Sequence, residues 1–324
     1  MGAIGHEESA TTVAELGRTS YDVAVVGGGI YGAMLHLEAA RSGLRSVLVE
    51  RGDFGGATSE NSLRIIHGGL RYLQNLNVAR SVESTRERQW YLASVPRLVR
   101  TLPCLLPIYD HGRKRASVLS LGLKANNAIS AAVKYLDCSV ADVPHGHVLD
   151  ARATLELAPA IPADGLVAGA VWHDLALRSP GRVIIEVLKW AADLGGVAMN
   201  YVEARRLLIA KGRVRGVSIA EPGTRTSAEL RASVVVNATG PWAGALARKW
   251  GAADDRLSPL VVAWNVLLDR PPLSGHAVAL QDPSSAGSAL KFATSLGGRL
   301  LVGTGYAPHA GSCESAEAVA EGEL

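Results

Sequence analysis

Apolar positions along the chain fall into runs whose period changes several times, and each change marks an element. Val23-Ala24-Val25-Val26 is unbroken, as in a strand buried on both faces. It enters Gly27-Gly28-Gly29-Ile30-Tyr31-Gly32; then Ala33, Leu37 and Ala40 recur on one side of a helix that Gly43 closes. Ser46-Val47-Leu48-Val49 predicts a second buried strand, which delivers Glu50 eighteen positions after Gly32. From Asn77 to Val95 the period is helical, with Val78, Val82, Thr85 and Leu92 toward one side. Arg80, Glu83, Arg86 and Glu87 then make a solvated face, and Pro96 ends the helix. The stretch from Val118 to Val133 reads as a helical cap over the core.

Leu166 to Trp172 predicts a strand running into His173-Asp174. Ser179-Pro180 caps a helix whose buried face is Ile184, Val187, Leu188, Ala191 and Leu194, with Gly195 as its stop. From Val197 the period becomes that of strands. Val197 to Val202, Arg206 to Ala210 and Val214 to Ile219 predict a small antiparallel meander. A buried parallel strand follows, ending in the turn Asn237-Ala238-Thr239-Gly240-Pro241-Trp242. Residues 259–268, 276–280, 289–293 and 299–303 predict a further antiparallel sheet.

Strand, glycine turn, helix, strand and acid in this order make a nucleotide cradle. Gly27 allows the tight turn, Gly29 lets backbone N–H groups approach a pyrophosphate, and Gly32 lets helix and strand pack closely. The start of the helix, at Ile30 and Tyr31, favours negative charge. Glu50 can accept both ribose hydroxyls and would repel a 2′-phosphate, which disfavours NADP. The cradle implies an adenine dinucleotide and an α/β, Rossmann-like fold.

Composition narrows the function classes. The chain has 324 residues, long enough for two intertwined domains, and 48% of them are hydrophobic. Net charge is only +3, from 33 basic and 30 acidic residues, so nothing points to nucleic acid. Cys104, Cys138 and Cys313 have no metal or redox spacing, which suggests reduced thiols and a cytoplasmic setting. His145 and His147 lack a third ligand at suitable spacing, so no metal is expected. The first twenty residues carry Glu7 and Glu8 and predict a loose leader, neither a secretion signal nor a membrane span. Arg113-Lys114-Arg115 and the helix after it leave room for peripheral contact with an anionic bilayer.

Arg51 to Ser59 is small and polar, and Asn61 to Tyr72 continues with hydroxyls, glycines and His67. The cradle with Ala57-Thr58-Ser59, Ile66-His67-Gly68-Gly69 and Leu70-Arg71-Tyr72-Leu73, together with Asn237 to Trp242, resembles the FAD-dependent glycerol-3-phosphate dehydrogenases. These belong to the D-amino-acid-oxidase-like flavoproteins. The resemblance covers about Tyr21 to Thr304. It implies FAD as cofactor, on a Rossmann-like FAD/NAD(P)-binding domain of residues 21–76 and 145–250. An interleaved substrate domain is formed by a helical segment of residues 77–144 and an antiparallel sheet of residues 251–310, with a tail after it.

Contacts to FAD are implied for Gly27, Gly29, Ile30, Tyr31, Gly32, Glu50 and Arg51, for Thr58, Ser59, Ser62, His67, Gly68 and Gly69, and for Val202, Ala238, Thr239, Gly240 and Trp242. The family passes a hydride from a secondary alcohol to flavin and then electrons to a quinone or another acceptor. Arg71 and Arg299 would grip the substrate anion through planar guanidinium forks, with Tyr72 hydrogen-bonding nearby. His67 has the intrinsic pKa of a general base, although the preferred reading is that it orders the flavin loop.

Two departures stand out. Asn265, in Ala263-Trp264-Asn265, replaces a histidine near the reacting hydroxyl and would hydrogen-bond the substrate instead. Gly305-Tyr306 stands where the family has Thr-Asp. The family's catalytic domain also runs on past the point where this chain ends, through a glycine-rich segment over the flavin. An amine or amino-acid oxidase of the same superfamily, and a non-catalytic flavin-binding protein, are the competing readings.

Overall fold

The structure, a computed structural model, describes residues 12–70, 77–110, 116–136, 143–252, 260–280, 290–309 and 313. In chain order the elements begin α1 (Val13–Arg18), β1 (Ser20–Val26), α2 (Ile30–Arg41), β2 (Ser46–Val49), β3 (Ile65–Ile66), α3 (Val78–Ser94), β4 (Val99–Tyr109) and α4 (Ala116–Leu136). Then come β5 (His147–Asp150), α5 (Ala151–Leu157), β6 (Leu166–Leu177), α6 (Pro180–Asp193), β7 (Val197–Met199), β8 (Glu203–Ala210) and β9 (Arg213–Ala220). The remainder are β10 (Ser227–Asn237), α7 (Ala243–Lys249), β11 (Leu260–Leu268), β12 (Ala277–Leu280), β13 (Lys291–Leu296) and β14 (Arg299–His309). They form two compact units, one from the described residues of Met1–Asn61, Pro180–Leu260 and Ala310–Ala316, the other from Ser62–Ser179 and Val261–His309.

Among the described residues the first unit holds a six-stranded sheet in the order β7-β2-β1-β10-β9-β8. Its parallel half is in register: Val26 faces both Val49 and Asn237, and Val49 faces Met199. The strand ends therefore stop at one level and set Gly27, Glu50 and Ala238 side by side at the carboxyl edge, where open α/β sheets bind ligands. Strand β10 serves two partners, β9 antiparallel through its first half and β1 parallel through its second. The meander differs from expectation. Val197–Met199 leaves it to lie parallel beside β2, because α6 has already carried the chain across the sheet as a crossover helix. On α6, Val183, Ile184, Val187, Leu188 and Ala191 are buried while Leu194 is exposed, one position beyond the helix end.

The expected loose leader is corrected for residues 12–20. Thr12 accepts the Glu15 N–H and Glu15 accepts the Thr12 N–H, a capping box that starts α1. Val13 and Leu16 then join the core formed by β1 and β8 to β10.

His36 on α2 is fully buried, its Nδ1 2.7 Å from Ser46 Oγ and its Nε2 without a partner. Burial pushes its pKa down from 6.5 to about 4. Between those values the unfolded chain binds more protons than the folded one, so stability falls as pH falls from 6.5 toward 4 and is fully present above that window. The loss attributable to His36 should be about 2 kcal/mol by pH 5. Unfolding free energies at pH 7 and pH 5 check this. The drop between them should shrink by about that amount in His36→Gln, and an unchanged drop would contradict it.

The second unit's sheet runs β11-β14-β13-β12-β4-β6-β3, with β5 also on β6. The ladder from Val99↔Leu177 to Tyr109↔Leu166 ties β6 to β4. Residues 145–179 accordingly belong with this sheet, a correction to their assignment to the nucleotide domain. Pro103 and Pro107 sit within β4, and α4 covers the sheet through Leu123, which is buried with Leu102, Cys104 and Trp172.

Helix α3 also corrects the sequence. It buries Ser81, Thr85, Arg88 and Gln89 while Val78 is exposed. Its charge run is thus only partly a solvated face.

Candidate functional site

In the first unit the glycines are fixed by what surrounds them. Gly27 has φ +112°, and a Cβ there would lie 2.5 Å from the Ala238 carbonyl oxygen. A Cβ on Gly32 would land on the Gly27 carbonyl oxygen, so α2 can approach β1 only without a side chain at that point. Gly29 is the N-cap of α2 and supplies no capping side chain. The Ile30 N–H instead donates to Ser59 Oγ at 3.0 Å, while Tyr31 is 82% exposed. Thr58 and Arg51 are exposed nearby in sequence.

Glu50 organises the rim. Its Oε2 accepts the Gly28 N–H at 2.7 Å and its Oε1 the Gly52 N–H at 2.8 Å. Val202, almost fully buried, donates its N–H to the Glu50 carbonyl. On the other side of β1, Asn237 shapes the turn: its Oδ1 accepts the Thr239 hydroxyl at 2.7 Å and its Nδ2 donates to the Ala243 carbonyl. Gly240 follows with φ +56°. The Arg51 guanidinium lies 4.6 Å from the Trp242 ring centre. Trp242 Nε1 is buried and unpaired.

These residues fit an adenine dinucleotide. The N-cap of α2 is a glycine with no side chain, the acid keeps lone pairs beyond its two backbone bonds, and a buried indole N–H awaits an acceptor. Gly27, Gly29, Ile30, Gly32, Glu50, Ser59 and Ala238 converge at the sheet edge.

The second unit carries the other candidates. Ser62 Oγ accepts the Arg64 N–H. His67 Nδ1 lies 2.9 Å from Asp174 Oδ2, and the Gly68 N–H donates to Asp174 Oδ1 at 2.7 Å. The Trp172 indole donates to the same carboxylate at 3.2 Å. A Cβ on Gly68 would strike the Arg88 guanidinium, and one on Gly69 would come within 2.7 Å of the Ser81 carbonyl oxygen. The His67-Gly68-Gly69 turn is therefore seated on α3 and held by β6. Asn265 Oδ1 accepts the Thr304 hydroxyl at 3.0 Å and lies against Gly303.

Arg299 is exposed at the other end of β14, next to the Gly297-Gly298 turn that pairs Leu296 with Arg299. Five steps along the strand, roughly 17 Å, separate it from Thr304, so Arg299 and Asn265 are not brought together. Arg71 and Tyr72 lie outside the described residues. Asp174 and Arg88 were missed from the sequence; the signal for Asp174 was an acid ending an apolar strand. Among the described residues there is no group of three metal-ligating side chains, and no helix is long and apolar enough to cross a membrane.

A family model described as DAO, FAD dependent oxidoreductase, matches residues 22–321. The aerobic glycerol-3-phosphate dehydrogenase of Bacillus subtilis (strain 168) is 32% identical over 235 residues, which is 72% of this chain and 41% of that protein. The alpha-glycerophosphate oxidase of Enterococcus casseliflavus is 32% identical over 236 residues, 71% of this chain and 37% of that protein. The chain thus spans less than half the length of these curated relatives. Among solved structures, the glycerol-3-phosphate dehydrogenase from Bacillus halodurans complexed with FAD aligns with a TM-score of 0.69 at 23% identity, covering 94% of this chain and 51% of that one. The L-proline dehydrogenase from P. horikoshii aligns at 0.59 with 18% identity, covering 88% and 69%. Both likenesses support the fold.

Proposed function

This chain belongs to the DAO family of FAD dependent oxidoreductases, and from that premise we propose that it oxidises a small hydroxylated anion, glycerol 3-phosphate first, to dihydroxyacetone phosphate. The observation that carries the reading is the cradle itself, with Glu50 bonded to the Gly28 and Gly52 amides beside the glycine N-cap of α2. It is joined by two relatives, each 32% identical, whose names specify glycerol phosphate.

FAD, when bound, supplies the hydride acceptor. The Gly29 and Tyr31 N–H groups would hold its diphosphate, Glu50 its ribose, and the Trp242 indole N–H a further acceptor atom. On the substrate side, Arg71 offers a guanidinium fork to phosphate and Tyr72 a hydroxyl; Arg299, exposed at the far end of β14 from Thr304 and Asn265, is not carried into this role. With Asn265 Oδ1 occupied by Thr304, the carboxamide Nδ2 is the group left to donate to a substrate oxygen. Quinone or another electron acceptor, a cytoplasmic setting and peripheral contact with a membrane's inner face belong to the same proposal.

An amine or amino-acid oxidase is the second reading, favoured by the fold shared with L-proline dehydrogenase; a non-catalytic flavin carrier is the third. Anaerobic addition of glycerol 3-phosphate to the FAD-loaded chain should bleach the flavin bands, whereas proline and glycine should not. Bleaching by the amino acids alone would transfer the chain to the second reading, and no bleaching by any donor to the third.

A further inference from the structure

We propose that Asp174 is a positioning residue: it locks the His67 ring in its Nδ1–H tautomer, so that Nε2 becomes the acceptor this chain offers to a substrate hydroxyl. The acceptor role rests on the oxidation proposed above; the tautomer does not. Two N–H groups converge on the Asp174 carboxylate, from Gly68 on Oδ1 and from Trp172 on Oδ2, and His67 Nδ1 lies 2.9 Å from Oδ2. A carboxylate can only accept, so the proton of a neutral His67 lies on Nδ1 and the Nε2 lone pair is left open. Exposure differs sharply across the pair. The Asp174 side chain is 2% exposed and that of His67 is 42% exposed, so one end is anchored and the other presented.

The anchor is braced from each element packed on it. From α3, Arg88 is buried and donates to the His173 carbonyl at 2.7 Å and to Ser130 Oγ at 3.2 Å. Burial lowers the Arg88 pKa and the charge of Asp174 raises it. From β4, Cys104 approaches the same carboxylate, and burial with that negative charge pushes its thiol well up, keeping it S–H. Phe292 holds the imidazole from another side, with ring centres 5.4 Å apart. The turn's own order comes from Asp174, Thr85 and Arg88. The His67 Nδ1 contact with Asp174 adds to that order and leaves Nε2 for another task.

The test is nitrogen-15 NMR of the whole chain labelled at histidine, with the His67 signal identified by its loss in His67→Asn. At pH 8 it should report a protonated Nδ1 and a bare Nε2. In Asp174→Asn, whose carboxamide can turn an N–H toward the ring, the signal should move toward the Nε2–H form. In the FAD-loaded chain the same variant should slow flavin reduction roughly a hundredfold with little change in the donor concentration that half-saturates it. A wild-type signal reporting Nε2–H, or averaging between the two tautomers, would overturn the proposal, as would an unmoved signal in folded Asp174→Asn. Should that variant fail to fold, the wild-type signal decides alone. A donor that does not reduce flavin would sink the oxidation and leave the tautomer result standing.

Discussion

Gly32→Ala should give a chain that neither retains FAD nor melts at the wild-type temperature. The added methyl group would meet the Gly27 carbonyl oxygen, which is backbone at the end of β1 and has no rotamer by which to move aside. Helix and strand must then separate, which opens the closest joint in the cradle and tilts the first turn of α2 away from the sheet edge. Overpacking against backbone costs about 3 kcal/mol, or roughly 10 °C for a unit of this size. Gly29→Ala is the control. Its Cβ would have Ser59 Oγ as nearest neighbour at 3.2 Å, a hydroxyl that can rotate. That variant should keep the fold, with a much smaller drop in melting temperature. Equal losses in the two variants would contradict the account of the joint.

Glu50→Gln should be nearly as damaging to the cofactor although it changes no volume. Each Glu50 oxygen takes one backbone N–H, from Gly28 and from Gly52. A carboxamide has one acceptor oxygen, so its NH2 must face one of those amides and leave it unsatisfied. Losing a charge-assisted bond at a half-buried position costs about 1–3 kcal/mol. The loss falls on the loop that would meet the ribose, so FAD affinity should drop about tenfold or more. Fluorescence titration with FAD and a thermal melt of the chain without FAD measure the two effects separately. Unchanged values in both would remove Glu50 from the centre of the site.

The cradle was legible in the sequence because its information is carried by backbone: apolar runs, glycine spacing and one acid at the end of a strand are local signals. The buried positions of α2, Ala33, Leu37 and Ala40, followed for the same reason. What escaped reading is polar and distant. Asp174 meets His67 across 107 positions, and an acid after an apolar strand looks the same whether it is solvated or buried. Arg88 is disguised in the same way, inside a charge run whose neighbours Arg86 and Glu87 are exposed. Helical spacing finds a buried face by hydrophobicity, and α3 buries hydroxyls and a guanidinium instead. The assignment of β7 failed on geometry: three short strand signals in succession do not reveal that a helix has just crossed the sheet. The Thr12–Glu15 capping box was present in the sequence and was outweighed by the acidic opening around it.

The central claim is that an adenine dinucleotide lies against the amides after Gly27 with its ribose at Glu50. Its most direct test is equilibrium uptake of FAD by the purified chain, read from the visible spectrum after gel filtration with the cofactor supplied in excess. The account predicts one FAD retained per chain in the wild type and little retained in Gly32→Ala. A folded wild-type chain that emerges colourless would contradict it.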